Sequence, residues 1–414
     1  MSKVGAGVVS FEEALEIVLR HSSGLPSLSV EGLALLSCGN RVLAEAVLAD
    51  RDQPPFDRST RDGFAVRAVE FGSSPLLRVA GQVRAGEQWL GVALEDGVAI
   101  EIMTGAPVPE GADAVVMVEH VVQSDGTIRA AAGRTIRSGE NFVPRGSEAR
   151  AGQSVLPMGT VMEGAEIALA ASCGRSELTV YRRPRVAIVA TGDELVEVEA
   201  TPALQQIRNS NSYGLAALVD QAGGEAVRFP IAPDRRSYLD ETIRTARRCD
   251  LILLSGGVSM GKYDLVEEVL ESLGAEFFFT GVRMQPGKPV VFGRLAAAEG
   301  HPEQYFFGLP GNPVSTQVTF HCFVEPLLRA VRGAPAAGPR FAQATLAVDT
   351  ASKPGLMQVL PAQMNAEGLR PLVRLVPWQG SGDLTANARA NCYAVLPPEK
   401  ERFAAGDVIT VLLR

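Results

Sequence analysis

The run LSGGVSMGKYDLVEEV, residues 254–269, joins an apolar stretch to a helical pattern. Glycines at such a junction let backbone N–H groups approach a phosphate, aided by the helix N-terminus. Two further patterns overlap there. Gly256, Gly261 and Lys262 fit G-x-x-x-x-G-K, but Tyr263 stands where a P-loop needs Ser or Thr for Mg2+. Gly257, Ser259 and Gly261 fit G-x-S-x-G, the elbow of a serine hydrolase, with His301 or His321 available as base. His321 falls inside the apolar pattern TQVTFHCFVEPLL, where packing is the expected role, and no HGGG-type oxyanion motif occurs. A tight turn without ligand is the plain alternative, with Asp264 a favourable charge in the first helical turn.

Other stretches offer complementary chemistry. In LPGNPVS, Asn312 suits a helix cap and Pro313 the first helical position, leaving free N–H groups for a ligand or simply starting a helix. In VATGDEL, Asp193 and Glu194 follow an apolar strand pattern and could bind a cation, fix a hydroxyl or merely open a helix. QPGKPVVFG holds Lys288 in a proline-stiffened turn, as a point charge for an oxyanion or as a solvent-facing residue. FDRSTRDGFAV carries Asp62 and IEIMTGAPVPEGADAVV carries Thr104, both among turn-forming residues. QGSGDLTANARANCY is a polar glycine loop before an expected helix, again consistent with anion contact.

The elements that must position these groups follow from periodicity. Residues 10–19 read as a helix capped by Ser10, and a second helix is expected over residues 40–48. Short apolar runs separated by EDG, PEG and SDG predict a small β unit over residues 76–129. A helix is expected over residues 163–171. From residue 185 strands alternate with helices: RVAIVA, a helix over 210–221, EAVRFPI, a helix over 237–248, DLILLS, the YDLVEEVLESLG helix, PVVFGRL, QYFFGL, and a helix over 313–331. That alternation predicts a parallel sheet covered on both faces, with ligands beyond the carboxyl ends of its strands. GAPAAGPR is a linker, and the tail from residue 341 is strand-like.

Composition bounds the function. A chain of 414 residues holds roughly three domains at about 150 residues each. With 39 Lys and Arg against 47 Asp and Glu, the net charge of −8 disfavours nucleic acid and anionic membranes as partners. Cys38, Cys173, Cys249, Cys322 and Cys392 are isolated, without C-x-x-C, which argues against a disulfide framework or thiolate zinc site and fits a reducing cytoplasm. The four histidines are scattered, so any metal is expected on Asp and Glu oxygens. No signal-peptide core and no run near 18 apolar residues is present, so a cytoplasmic protein outside the membrane is expected.

FDRSTRDGFAV, IMTGAPVPEGADAVV, VATGDEL, SGGVSMGKYD, QPGKPVVFG, GLPGNPVS and QGSGDLTANARAN occur in the order seen in the molybdopterin molybdenumtransferase (MoeA) family, which includes the gephyrin E domain. The sequence resembles that family along essentially its whole length. The resemblance implies a multidomain α/β plus β fold. Its parts are a linker domain from residues 1–50 and 134–180, an inserted β domain over 51–133, a three-layer α/β/α nucleotide-binding domain over 181–332, and a C-terminal β barrel over 338–414. It implies insertion of molybdate into adenylylated molybdopterin with release of AMP, assisted by Mg2+, in a homodimer whose active site draws on both subunits. Contacts with molybdopterin adenylyltransferase and apo-molybdoenzymes are implied as well. By position, Asp62, Thr104, Glu194, Asp264 and Lys288 are the implied catalytic residues, with Glu194 and Asp264 as metal ligands. Asp193, Asp234, Gly256, Gly257, Ser259, Pro289, Pro310, Gly311, Asn312, Pro313 and Ser315 are the implied binding residues. Three departures remove positive charge or change its place. Gln285 replaces the first lysine of K-P-G-K-P, KPGLMQVLPAQ lacks the arginines of G-R-x-x-F-x-R, and Arg61 stands for methionine in SxMDGYA, with Arg61 or Arg283 as compensating cations. A scaffold relative with lost turnover and a Ser259 hydrolase are the competing readings.

Overall fold

A computed structural model describes residues 7–73, 76–257, 265–298 and 300–414. At its centre is a six-stranded mixed sheet. Glu225–Arg228, Arg185–Ala190, Leu251–Ser255 and Gln304–Leu309 run parallel in that order, and Val291–Leu295 and Ala275–Phe279 extend the sheet antiparallel. The expected parallel sheet thus holds for four strands. Residues 296–303 are too few for the crossover that a parallel pairing needs, so Val291–Leu295 and Gln304–Leu309 form a hairpin instead. Alternate strand residues enter different cores. Val186, Ile188, Leu251, Leu253 and Phe307 pack with the helices Ser210–Gln221 and Pro313–Thr319. Ala187, Val189, Ile252, Leu254 and Phe306 pack with Arg236–Ala246 and Leu265–Ser272. Burial of both strand faces is why these segments read as unbroken apolar runs.

The helix expected over residues 313–331 is continuous but changes pitch, passing through a π-helical turn, Phe320–Val324, into Glu325–Val331. The change precedes Pro326, which has no N–H to give to an α-helical ladder. Ser10 caps the first helix, Phe11–Ser22, its hydroxyl accepting from the Glu13 N–H at 3.1 Å. Phe11, Ala14 and Val18 of that helix lie in the core with Phe323 and Leu327, and Val8–Val9 pairs in parallel with Gly281–Val282. By packing, this helix therefore sits on the α/β core, although the sequence reading placed it in the linker.

Two chain segments far apart in sequence build a further small unit. Val30–Ala34 pairs antiparallel with Glu177–Tyr181, and Val47–Leu48 pairs with Ser154–Leu156. The helix expected over residues 40–48 does not form. Asn40 has φ +56°, and the N–H groups of Leu43 and Ala44 are taken by Thr160 and Thr179 of the second segment. Leu43 and Val47 reach the apolar cluster from extended backbone instead. The helix Gly164–Ser172 lies where periodicity expects one.

Between these two segments the chain forms a six-stranded sheet in the order Ala114–Met117, Gly63–Val66, Val98–Ile102, Leu77–Val83, Thr127–Ala130, Val121–Ser124. The C-terminal strands Met357–Glu367, Arg370–Leu375, Phe341–Leu346, Val408–Leu413 and Cys392–Leu396 close into a five-stranded barrel through the pairing of the first with the last. Among the described residues no helix is long and apolar enough to cross a membrane, and all five cysteines are buried and free.

Gly63 marks where Asp62 enters its sheet. A Cβ there would run into the Val116 carbonyl of the neighbouring strand. Gly63→Ala should cost about 1–3 kcal/mol by overpacking and lower the calorimetric transition temperature. An unchanged transition would show that the strands part freely.

Candidate functional site

Ala190, Ser255 and Leu309 are register partners across three parallel strands. The loops that follow, TGDEL, SGG and PGNP, consequently leave the sheet side by side. A cleft of about 590 Å3 opens among them, lined in part by Thr191, Glu194, Gly256, Pro310, Gly311 and Asn312, with Pro289 and Pro313 beside these. The glycines are required by close approach. Gly256 (φ +88°) and Gly257 (φ +64°) are in the left-handed region; a Cβ on Gly256 would strike the Thr191 carbonyl, and one on Gly257 would strike Val266 and Thr191.

Hydrogen bonds brace the walls. Asn211 Nδ2 donates to Ser255 Oγ at 3.0 Å and to the Gly311 carbonyl at 2.8 Å, tying a helix start to two loops. Thr191 Oγ1 donates to Asp234 Oδ1 at 2.6 Å, and the Asp234 N–H donates to Asp193 Oδ1 at 3.2 Å. Asp193 and Asp234 are thus loop braces beside the cleft rather than part of its wall. Glu194 is on the wall. Its carboxylate folds over Gly192, whose φ of +148° and lack of Cβ make the room.

Among the described residues no three His, Cys, Asp or Glu side chains gather as a metal cage. Mg2+ does not need one, since it is commonly held by one or two carboxylates together with waters and substrate phosphates. Glu194 suits that mode. Ser259 and Asp264 lie outside the described residues, as does the Gly261-Lys262-Tyr263 portion of the P-loop and elbow patterns.

The remaining candidates divide. Lys288 is exposed and does not line the cleft, although the adjacent Pro289 does. Ser315 is buried within its helix, its carbonyl accepting from Thr319 Oγ1 at 2.8 Å. Asp62 and Thr104 form their own pair on the inserted sheet: the Thr104 N–H and hydroxyl donate to Asp62 Oδ1 at 2.6 and 2.8 Å. The backbone donor, then the hydroxyl, hold the Asp62 carboxyl below the usual aspartate range. This pair is not part of the cleft wall. Gln285 Oε1 accepts from Gln358 Nε2 at 3.3 Å where Met284–Gln285 pairs with Met357–Gln358, so the glutamine that stands for the first lysine of K-P-G-K-P meets a neutral amide. His321 is buried with Nδ1 2.9 Å from Glu325 Oε2 one helical turn away, a packing role.

Sequence reading missed Arg208, Asn209, Ser210 and Asn211 on the cleft wall. For Asn209, Ser210 and Asn211 the signal was present in the polar run NSNS at the start of an expected helix. Gly382 and Leu384 also line the cleft, so the QGSGDLTANARANCY loop reaches it from the C-terminal part of the chain. The Val314 N–H donates to the Ser381 carbonyl at 3.0 Å and Asn387 Nδ2 to Gln317 Oε1 at 2.8 Å, fastening that loop to the cleft helix.

Residues 9–174 match the MoeA N-terminal region (domain I and II), residues 187–330 a probable molybdopterin binding domain, and residues 343–413 the MoeA C-terminal region (domain IV). A molybdopterin molybdenumtransferase of Nostoc sp. is 36% identical over 386 residues, covering 91% of this chain and 87% of that protein. The protein of that name from Haemophilus influenzae is 35% identical over 390 residues, covering 92% and 93%. The crystal structure of the molybdopterin biosynthesis moeA protein from Pyrococcus horikoshii OT3 superposes with a TM-score of 0.76 at 28% identity, covering 98% of this chain and all of that one. With its mixed sheets, its closed five-stranded barrel and these relatives along nearly its full length, the chain belongs to the MoeA family.

Proposed function

We propose that this protein acts in molybdenum cofactor biosynthesis as a molybdopterin molybdenumtransferase, inserting molybdate into adenylylated molybdopterin and releasing AMP. The observation that carries the reading is the cleft at the aligned strand ends, where glycine turns, a carboxylate and a helix start converge on a space of ligand size. Backbone N–H groups of the Gly256 and Gly311 turns, with Asn312, receive the phosphates. Glu194, with Asp264, holds Mg2+, which when bound offsets charge on the scissile phosphoanhydride. Lys288, exposed at the rim beside Pro289, draws in the oxyanion against the net negative charge of the protein. Asp62 and Thr104 come to the site from a second copy of the chain, because their own sheet keeps them off the wall of this cleft.

Purified protein given adenylylated molybdopterin, Mg2+ and molybdate should release AMP in proportion to molybdate. Tight binding without release, with molybdate and tungstate alike, would make it a binding relative.

Glu194→Gln should raise the Mg2+ concentration needed for half-maximal AMP release about tenfold or more. A titration that overlays the wild type would remove Glu194 from the metal site.

The lowered Asp62 pKa keeps the carboxylate ionised at acid pH. Its share of stability is present above the unfolded value near 3.9 and is lost as pH falls through the lower folded value. Thr104→Val removes the hydroxyl donor and should move the Asp62 midpoint upward in a carboxyl-carbon NMR titration. An unchanged midpoint would show that the backbone donor alone sets it.

A further inference from the structure

We propose that Arg208 is the phosphate-binding cation of the cleft, a role that rests on the proposed function and supplies the positive charge its wall otherwise lacks. Among the described residues lining the cleft, Arg208 and Glu194 are the only charged ones. Lys288, the cation singled out by sequence, is not on that wall. In a chain of net charge −8, an anionic ligand entering this space needs a local cation, and Arg208 is placed to provide it.

Its placement is built from the backbone. Ile207–Arg208 pairs in parallel with Leu195–Val196, and the Ile207 N–H donates to the Glu194 carbonyl at 2.9 Å, so the two charged residues flank one small ladder. Arg208 Nε donates to the carbonyls of Val198 at 2.9 Å and Ala200 at 3.2 Å. Those bonds anchor one edge of the guanidinium and leave both Nη groups without an acceptor among the described residues. No carboxylate among them lies within ion-pair distance either. Several other arginines of this chain are neutralised, among them Arg182 by Asp250, Arg294 by Glu276 and Glu303, and Arg145 by Asp52. An anchored guanidinium with a free fork matches two oxygens of a phosphoryl group, a geometry that lysine cannot reproduce. Asn211, three residues on, serves as a positioning residue, since its amide holds the Ser255 and Gly311 loops that face the same space.

The phosphoryl group belongs either to the nucleotide half of the substrate or to the terminal phosphate of the pterin. Calorimetric titration of wild-type, Arg208→Gln and Arg208→Lys proteins with AMP, adenosine and molybdopterin separates the two. Loss of the charged fork should weaken AMP or molybdopterin binding about tenfold to a hundredfold, whichever carries the contacted phosphate, with partial recovery in Arg208→Lys. Adenosine binding and the melting temperature should not change. If neither phosphate ligand weakens by more than twofold in Arg208→Gln, or if the wild type binds neither, the assignment falls. AMP release by Arg208→Gln at wild-type KM would sink Arg208 alone. Arg208-dependent phosphate binding in a wild type that never releases AMP would sink the proposed reaction and leave the phosphate site standing.

Discussion

The register of three parallel strands governs the site. Because Ala190, Ser255 and Leu309 pair across the sheet, their successors emerge at one level and face one space. A slip of one residue would turn every alternate side chain of a strand from one core to the other. Here both cores are apolar, so polarity alone would not forbid the slip; size does. Ala187 and Val189 serve the core that holds Ile243 and Val269, whereas Val186 and Ile188 serve the one that holds Phe279, Phe292 and Phe323. Close packing makes such volume differences costly. The position of the Gly256 turn relative to Thr191 is thereby set by side chains deep in the sheet.

The cleft is completed from parts far apart in the chain. One wall begins at residue 191, another at 207, and a third comes from the loop around Gly382. The C-terminal barrel is held against the α/β core by the Met284–Gln285 pairing with Met357–Gln358 and by the Asn387–Gln317 bond. The first helix adds apolar contact on the same core, beside Met357, Val359 and Tyr393. Motions of the barrel against the sheet are therefore felt at Gly382 and Leu384, which gives the C-terminal segment a direct part in shaping the site.

Local chemistry was legible where one interaction decides the conformation. The Ser10 cap, the helix Ser210–Gln221 and the apolar runs of the central strands were readable because cap chemistry, periodicity and burial act within a few residues. The stretch over residues 40–48 misled because Leu43 and Val47 have helical spacing, while the backbone partners that hold it extended come from residues more than a hundred positions away. The site was legible as motifs and not as a surface. VATGDEL, SGG and LPGNP each end a strand and meet as strand order requires. Arg208 escaped notice because a two-residue strand and carbonyl acceptors at 198 and 200 position it, and neither has a sequence signature. Lys288 drew notice because it stands between prolines, yet the turn that makes it conspicuous directs Pro289 to the cleft instead.

Electrostatics resolves the difference between these two cations. An exposed lysine on a flexible stem acts over a Debye length, about 8 Å at physiological salt, and so suits capture of an incoming oxyanion. A guanidinium fixed by two carbonyls has little conformational freedom left to lose, so its remaining donors bind at low entropic cost. Gln285 stands where the resemblance puts a lysine, and there the chain has an amide pair with Gln358 joining core to barrel. Charge at that junction would carry a desolvation cost unless a ligand neutralised it, because Gln358 is 5% exposed. The neutral pair removes that cost in the empty protein. It leaves Arg208, on an open wall where solvent shares the charge, as the cation the cleft can hold with no ligand bound.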